Sequence, residues 1–136
     1  MINLTKDIYD KLSSTTAVTD LAGTRIWGER STPIKSWRPA QGVAVAFQLR
    51  GGQTAYDARI WRVNYKFKVY SQSESTTLSP PSDAFDLYSI IYDTLQDATY
   101  SNWRWSGADM LPQALEEFAL NWPYLMGSFE FAAING

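Results

Sequence analysis

Histidine and cysteine are both absent from this sequence of 136 residues. Without histidine, the chain lacks the side chain that most often acts as a general base or metal ligand, and it can form no Ser-His-Asp or Cys-His arrangement. Without cysteine, it can form no disulfide and no thiolate metal site, and nothing indicates an oxidising compartment. We therefore expect a protein that is not an enzyme and that needs no cofactor or metal.

Strong charge of one sign and long apolar runs are missing as well. The 12 basic and 14 acidic residues give a net charge of −2, without the basic excess that is typical of nucleic-acid-binding proteins. No apolar run approaches the roughly 20 residues that span a bilayer. The segment 1–7 lacks the basic flank and apolar stretch of a signal peptide. We expect a protein made in the cytoplasm, with neither a membrane nor a specific nucleic-acid sequence as its partner.

Aromatic residues, in contrast, are abundant. Six Trp, eight Tyr and six Phe make up 15% of the chain. They either fill a small core with large side chains or provide area for subunit contacts, where Trp and Tyr are enriched. The length of the chain is typical of one domain, which we place at 1–136, and its 45% hydrophobic residues can fill a core without disulfides.

The periodicity of apolar residues predicts an α+β fold, with two main helices on one face of an antiparallel or mixed sheet of about five to six strands. The predicted helices cover 4–12, 18–21 and 84–98, and the predicted strands cover 25–27, 43–50, 61–69, 100–105, 113–120 and 125–134. We expect Thr5 to cap the first helix, Gly23 to end the second, and Ser79 or Ser82 to cap the third.

The clearest of these patterns is the strict alternation of apolar and polar residues over 61–69, which predicts one strand face in the core and one in water. Three connections between the predicted elements are candidates for contacts with partners, because they carry aromatic or basic residues. The first is the long loop 28–41, whose Trp37 either contacts a partner or folds back onto the core. The second is a hairpin connection at 51–58, and the third is a turn at 121–123.

The sequence contains no recognisable catalytic or metal-binding motif. Gly51 and Gly52 precede a strand rather than a helix, and no P-loop lysine follows them. The two carboxylates Asp83 and Asp86 fit the positive end of a helix dipole. Neighbouring strand residues such as those at 116 and 117 point to opposite faces, so they cannot act as an acid/base pair. No closely spaced Asp and Asn residues form a Ca²⁺ loop.

The segment 59–68 interleaves four basic residues with aromatic ones. Platforms for single-stranded nucleic acid need the aromatic rings exposed beside the charges. Strand alternation places Trp61, Tyr65 and Phe67 on the face opposite to the cations. This pattern favours a solvated face or one that meets an acidic partner.

The order of the elements resembles that of phage tail-terminator or tail-completion proteins, the small proteins that close the head-proximal end of a tail. The segment 19–27 matches the family's "Leu-x-Gly-x-Arg-Ile" pattern with Leu21, Gly23, Arg25 and Ile26. The other matching segments are 43–47, 67–71, 90–95 and 127–131. Together they cover nearly the whole chain.

This resemblance implies a sixfold ring of identical subunits that sits on the last ring of tail-tube protein in a virion. Such a ring ends tube polymerisation, offers a surface to the head connector or stopper protein, and leaves a channel through which DNA could pass. A ring needs heterologous interfaces that close by rotation. We expect subunit or partner contacts from eight residues in the three connections: Arg30, Lys35, Trp37, Arg38, Tyr56, Asp57, Trp122 and Tyr124.

Two other functions stay open at the level of the sequence. One is another neck or head-completion protein, although such proteins tend to be more helical. The other is a non-enzymatic α+β module whose aromatic residues line a pocket for a small ligand or peptide.

Overall fold

A five-stranded mixed sheet organises the computed structural model, which describes residues 4–29, 33, 36–55, 60–72, 82–97, 103–117 and 122–134. The α-helices are α1 (Leu4–Ser13), α2 (Thr16–Ala22) and α3 (Ser82–Asp97), and a 3₁₀ turn covers Pro39–Gln41. The strands are β1 (Ile26–Gly28), β2 (Ala44–Ala55), β3 (Ile60–Tyr70), β4 (Trp103–Glu117) and β5 (Trp122–Ile134). The predicted α+β class, with helices on a sheet of about five strands, is confirmed.

The strands lie in the order β1-β2-β3-β5-β4. The short β1 is parallel to β2, and every other neighbouring pair is antiparallel. Two long hairpins, β2-β3 and β4-β5, therefore meet along the β3-β5 seam at the centre of the sheet. The outer strand β4 shows three register shifts against β5. Such irregularities make an edge strand a poor template for pairing with further strands.

The helices cover one face of this sheet, which we call the helix face. Its centre is a row of rings, with Phe67 4.8 Å from Phe129 and 5.1 Å from Phe47 between ring centroids. Fully buried Ile8 of α1 and Ile91 of α3 pack on this core. The helical periodicity predicted both buried stripes, because apolar residues at steps of three and four share one side of a helix.

Several predicted boundaries are wrong. Thr5 is not an N-cap, because α1 begins at Leu4 and contains it. The strand β2 continues through the predicted connection as far as Ala55, with a register shift between Leu49 and Gly51. The last three predicted strands are two, because β4 runs continuously from 103 to 117. The predicted turn at 121–123 is also wrong, since β5 begins at Trp122.

The second face of the sheet, which we call the open face, is only partly in contact with water. At the end of β3, Lys68 is 8% exposed and Tyr70 is fully buried, although alternation predicted a solvated face there. The segment 36–42 folds over this end of the sheet, where Trp37 packs on Tyr70, and Lys68 lies against the Tyr124 ring. Strand alternation identifies which residues share a face, but it cannot show that a distant segment will cover that face.

Candidate subunit interface

An aromatic cluster lies under the segment 36–42 on the open face. The ring centroid of Trp37 is 5.0 Å from that of Trp122 and 5.7 Å from that of Tyr70, both with edge-to-face geometry. Tyr124 completes the cluster, 5.1 Å from Tyr70. The Nζ atom of Lys68 lies 4.7 Å from the centroid of the Tyr124 ring, a cation–π contact. The sequence prediction therefore named three residues that the fold brings together.

The exposure expected for these three aromatic residues is wrong. Trp37, Trp122 and Tyr124 are all buried within the subunit, at 2%, 9% and 8% exposure. Trp37 folds back onto the sheet, which was the alternative that the sequence left open, and its Nε1–H donates to the carbonyl of Gly42 at 3.3 Å. Edge-to-face ring packing of this kind stabilises the subunit itself.

The remaining predicted contact residues divide into two groups. Arg38 is exposed, and its guanidinium donates to the carbonyl of Trp37 at 2.7 Å. The other four lie outside the described residues: Arg30, Lys35, Tyr56 and Asp57.

Arg25 lies beside Gly42, at the end of the covering segment. Its Nε donates to the carbonyl of Val43 at 2.9 Å and its Nη2 donates to the carbonyl of Leu21 at 3.1 Å. A Cβ on Gly42 would lie 2.8 Å from the Cζ of Arg25, and Gly42 has a φ of +122° that favours glycine. The arginine of the Leu-x-Gly-x-Arg-Ile pattern thus joins the end of α2 to the start of β2.

The uncovered part of the open face carries basic residues in register. Arg62 of β3 and Arg104 of β4 are both exposed, and both pair with Ala132 of the intervening strand β5. Lys66 lies further along β3 on the same face, and among the described side chains of this face only Glu130 is acidic. This arginine pair is not visible in the sequence, because it depends on β5 lying between β3 and β4.

The exposed side of α3 has the opposite charge. The helix contains four aspartates and neither lysine nor arginine. Asp86 and Asp93 are exposed, and beside them Phe85 is 51% exposed. A shallow groove of about 340 Å³ runs next to this stripe, between α3 and Pro112 of β4. The spacing of seven residues between the two aspartates is visible in the sequence and could have indicated a common face.

Asp83, also in α3, has a structural role. Its carboxylate accepts hydrogen bonds from the Ser71 hydroxyl at 2.7 Å, the Gln72 amide at 2.8 Å and the Ala84 amide at 2.8 Å. It therefore ties the end of β3 to the first turn of α3, where negative charge is favourable.

A second open groove, of about 470 Å³, lies between α1 and the residues that follow β1. On its wall the Thr5 hydroxyl contacts the Glu29 carboxylate and lies 2.6 Å from the Tyr65 hydroxyl. Burial raises the pKa of Tyr65, and nearby Glu29 and Asp7 contribute in the same direction. The contact between the Thr5 and Tyr65 hydroxyls joins α1 to β3.

Within the ranges that the structure describes, no group of three or more acidic residues is placed to hold a metal ion. Among the helices of these ranges, none combines the length and the apolar character that crossing a bilayer requires.

Comparison with known proteins shows similarity of fold rather than of sequence. The sequence matches no protein-family model and no curated protein. The structure is similar to a chain from a structure described as "Virion of native gene transfer agent (GTA) particle", with a TM-score of 0.62 and 15% sequence identity. The likeness covers 94% of this chain and 92% of the other, so the two chains share one fold over nearly their whole lengths.

Proposed function

We propose that this chain is a structural protein of a virion and not an enzyme. The observation that carries the proposal is the fold that it shares with a chain of the gene transfer agent virion, over 94% of this chain and 92% of that one. Because a fold can host many functions, the likeness shows a shared fold and supports this class without indicating a finer role.

Within that class, the proposed role is a tail terminator. In this role the chain forms a homohexameric ring at the head-proximal end of a tail tube, ends tube polymerisation and joins the tail to the head connector or stopper protein. The order of elements supports this role, since it resembles that of tail-terminator proteins from α1 to β5. The arginine of the family pattern also has a structural role, because Arg25 bonds the carbonyls of Leu21 and Val43 and so joins the end of α2 to the residue before β2.

Because Trp37, Trp122 and Tyr124 are buried within the subunit, other residues must make the proposed contacts with partners. Trp37 and Trp122 are buried between the segment 36–42 and the sheet, and Arg38 is the charged residue that this segment exposes. Replacing either tryptophan therefore tests subunit stability and not docking. A docking test needs Arg38.

The test of the proposed function is the length of tail tubes assembled with and without the protein, measured on negatively stained images. We expect tubes of uncontrolled length in its absence and of one length when the wild-type protein is added. Arg38→Glu should weaken this length control, whereas Ser36→Ala, an exposed control in the same segment, should leave it intact. Tubes of normal length without the protein would contradict the proposal.

A further inference from the structure

We propose that the acidic side of α3 in one copy of this chain docks onto the arginine pair on the open face of a second copy. This inference rests on the proposed ring and deepens it, because it names the two surfaces that meet. The two surfaces lie on opposite sides of the sheet, since α3 packs on the helix face while Arg62 and Arg104 lie on the open face. A contact between opposite sides is heterologous, which is the type that closes into rings.

The spacing of the charges matches between the two surfaces. Asp86 and Asp93 are seven residues apart on a helix, which places them about 10 Å apart on one side, at about 1.5 Å per residue. Arg62 and Arg104 are separated by one strand, which places their backbones about 10 Å apart, at about 4.8 Å per strand. Each arginine can therefore face one aspartate when the helix lies across the strands.

Small residues at the centre of each surface allow a close approach. Ala132 lies between the two arginines in the sheet, and Ser89 lies between the two aspartates on the helix. The exposed ring of Phe85 lies beside this line and gives the contact an apolar part. An aromatic anchor next to paired charges is typical of the residues that carry most of the energy of an interface.

The test is a charge exchange, followed by sedimentation velocity and native mass spectrometry at low and high salt. We expect the wild-type chain to self-associate at low salt and to dissociate as salt screens the charges. Arg62→Glu/Arg104→Glu and Asp86→Lys/Asp93→Lys should each raise the dissociation constant at least about tenfold, since repulsion replaces attraction. The exposed Asp20→Lys on α2 is the control with the same chemical change and should leave the constant unchanged.

Mixing the two double variants gives the decisive measurement. In the mixture every contact between the two different variants pairs opposite charges again, either Asp with Arg or Lys with Glu, so association in alternating order should return to within a few fold of wild type. Circular dichroism of each variant checks that it remains folded. A mixture that stays monomeric, or a wild-type chain that never associates, overturns the inference.

Failure of this inference and failure of the proposed function are distinguishable. Suppose that the double variants lose length control of the tail and that mixing them does not restore association. These surfaces would then contact another virion protein, and the proposal that a second copy of this chain binds them would be wrong. Tail length responds to the wild-type protein whichever surfaces join the subunits, so it tests the tail-terminator role separately.

Discussion

At the scale of single residues, Gly127 and Tyr88 show how closely α3 packs on the sheet. A Cβ added to Gly127 would lie 2.7 Å from the Cζ of Tyr88, so only glycine leaves room for this ring. The ring in turn packs edge-to-face on Phe129, with centroids 5.4 Å apart. The Tyr88 hydroxyl is buried and has no hydrogen-bond partner among the described residues.

We predict that Gly127→Ala lowers the free energy of unfolding by about 1–3 kcal/mol, because the added methyl group displaces the Tyr88 ring. Tyr88→Phe should change it by less than about 1 kcal/mol, because it removes a buried hydroxyl without a partner. The double variant should be more stable than the sum of the single effects, since removing the Tyr88 hydroxyl removes the atom closest to the added Cβ and so part of the clash. Urea unfolding measures all three, and strictly additive effects would contradict the packing described.

The same tyrosine predicts a dependence of stability on alkaline pH. Burial raises the pKa of Tyr88 to about 12 from an ordinary value of 10.0, with a smaller contribution from Tyr92. The unfolded chain ionises first, so the free energy of unfolding should fall as the pH rises from 10 to 12. Urea titrations across this range should show a smaller fall in Tyr88→Phe than in wild type. A fall of equal size in both proteins would argue against a buried Tyr88.

At the scale of elements, the fork of N–H donors on Arg25 joins the end of α2 to Val43, which directly follows the covering segment 36–42. Arg25→Lys should lower the free energy of unfolding by about 1–2 kcal/mol, because the single nitrogen of lysine does not reproduce the two donor nitrogens, Nε and Nη2, that bond Val43 and Leu21. The matched control is Arg50→Lys at an exposed position, where we expect a change within about 0.5 kcal/mol. Thermal or urea unfolding compares the two, and equal effects would show that the fork does not hold the segment.

The underside of this segment gives a second prediction at the same scale. Trp37→Ala should lower the free energy of unfolding by about 3–5 kcal/mol, because it leaves a cavity beside Trp122 and Tyr70. Ser36→Ala at the neighbouring exposed position should change it by less than about 0.5 kcal/mol. A Trp37→Ala protein of wild-type stability would restore the docking role that the sequence suggested.

The elements also show what the sequence could and could not predict. The helices and the central strand β3 were predictable, because their apolar residues repeat with helical or strand periodicity. The continuous strand β4 was not, because three register shifts interrupt its alternation and Gly107 breaks it early. Trp37 and Trp122 were recognised as important, but their burial arises from long-range packing that no local pattern records. The arginine pair needed the strand order before it could be seen.

At the scale of the whole molecule, a charge difference separates two opposite sides of a nearly neutral chain. The overall net charge of −2 hides this polarity, because the basic open face and the acidic α3 nearly cancel. Under the proposed docking, this polarity favours a second copy in one orientation and disfavours contacts between like surfaces. A closed ring then uses both surfaces of every subunit, while an open chain leaves one of each exposed at its ends.

Closure gives the last prediction. A variant with one defective surface, Arg62→Glu/Arg104→Glu, interrupts any ring that contains it. When the variant makes up one sixth of the mixed subunits, only about a third of randomly assembled sixfold rings should contain no variant and stay intact. If each variant removed only itself, about five sixths of the wild-type level would remain. Native mass spectrometry and counts of closed rings on stained images measure this curve, with Asp20→Lys as the control that should cause no loss. If the number of closed rings fell only in proportion to the fraction of variant, one defective subunit would not prevent its neighbours from assembling. That result would argue against a closed ring.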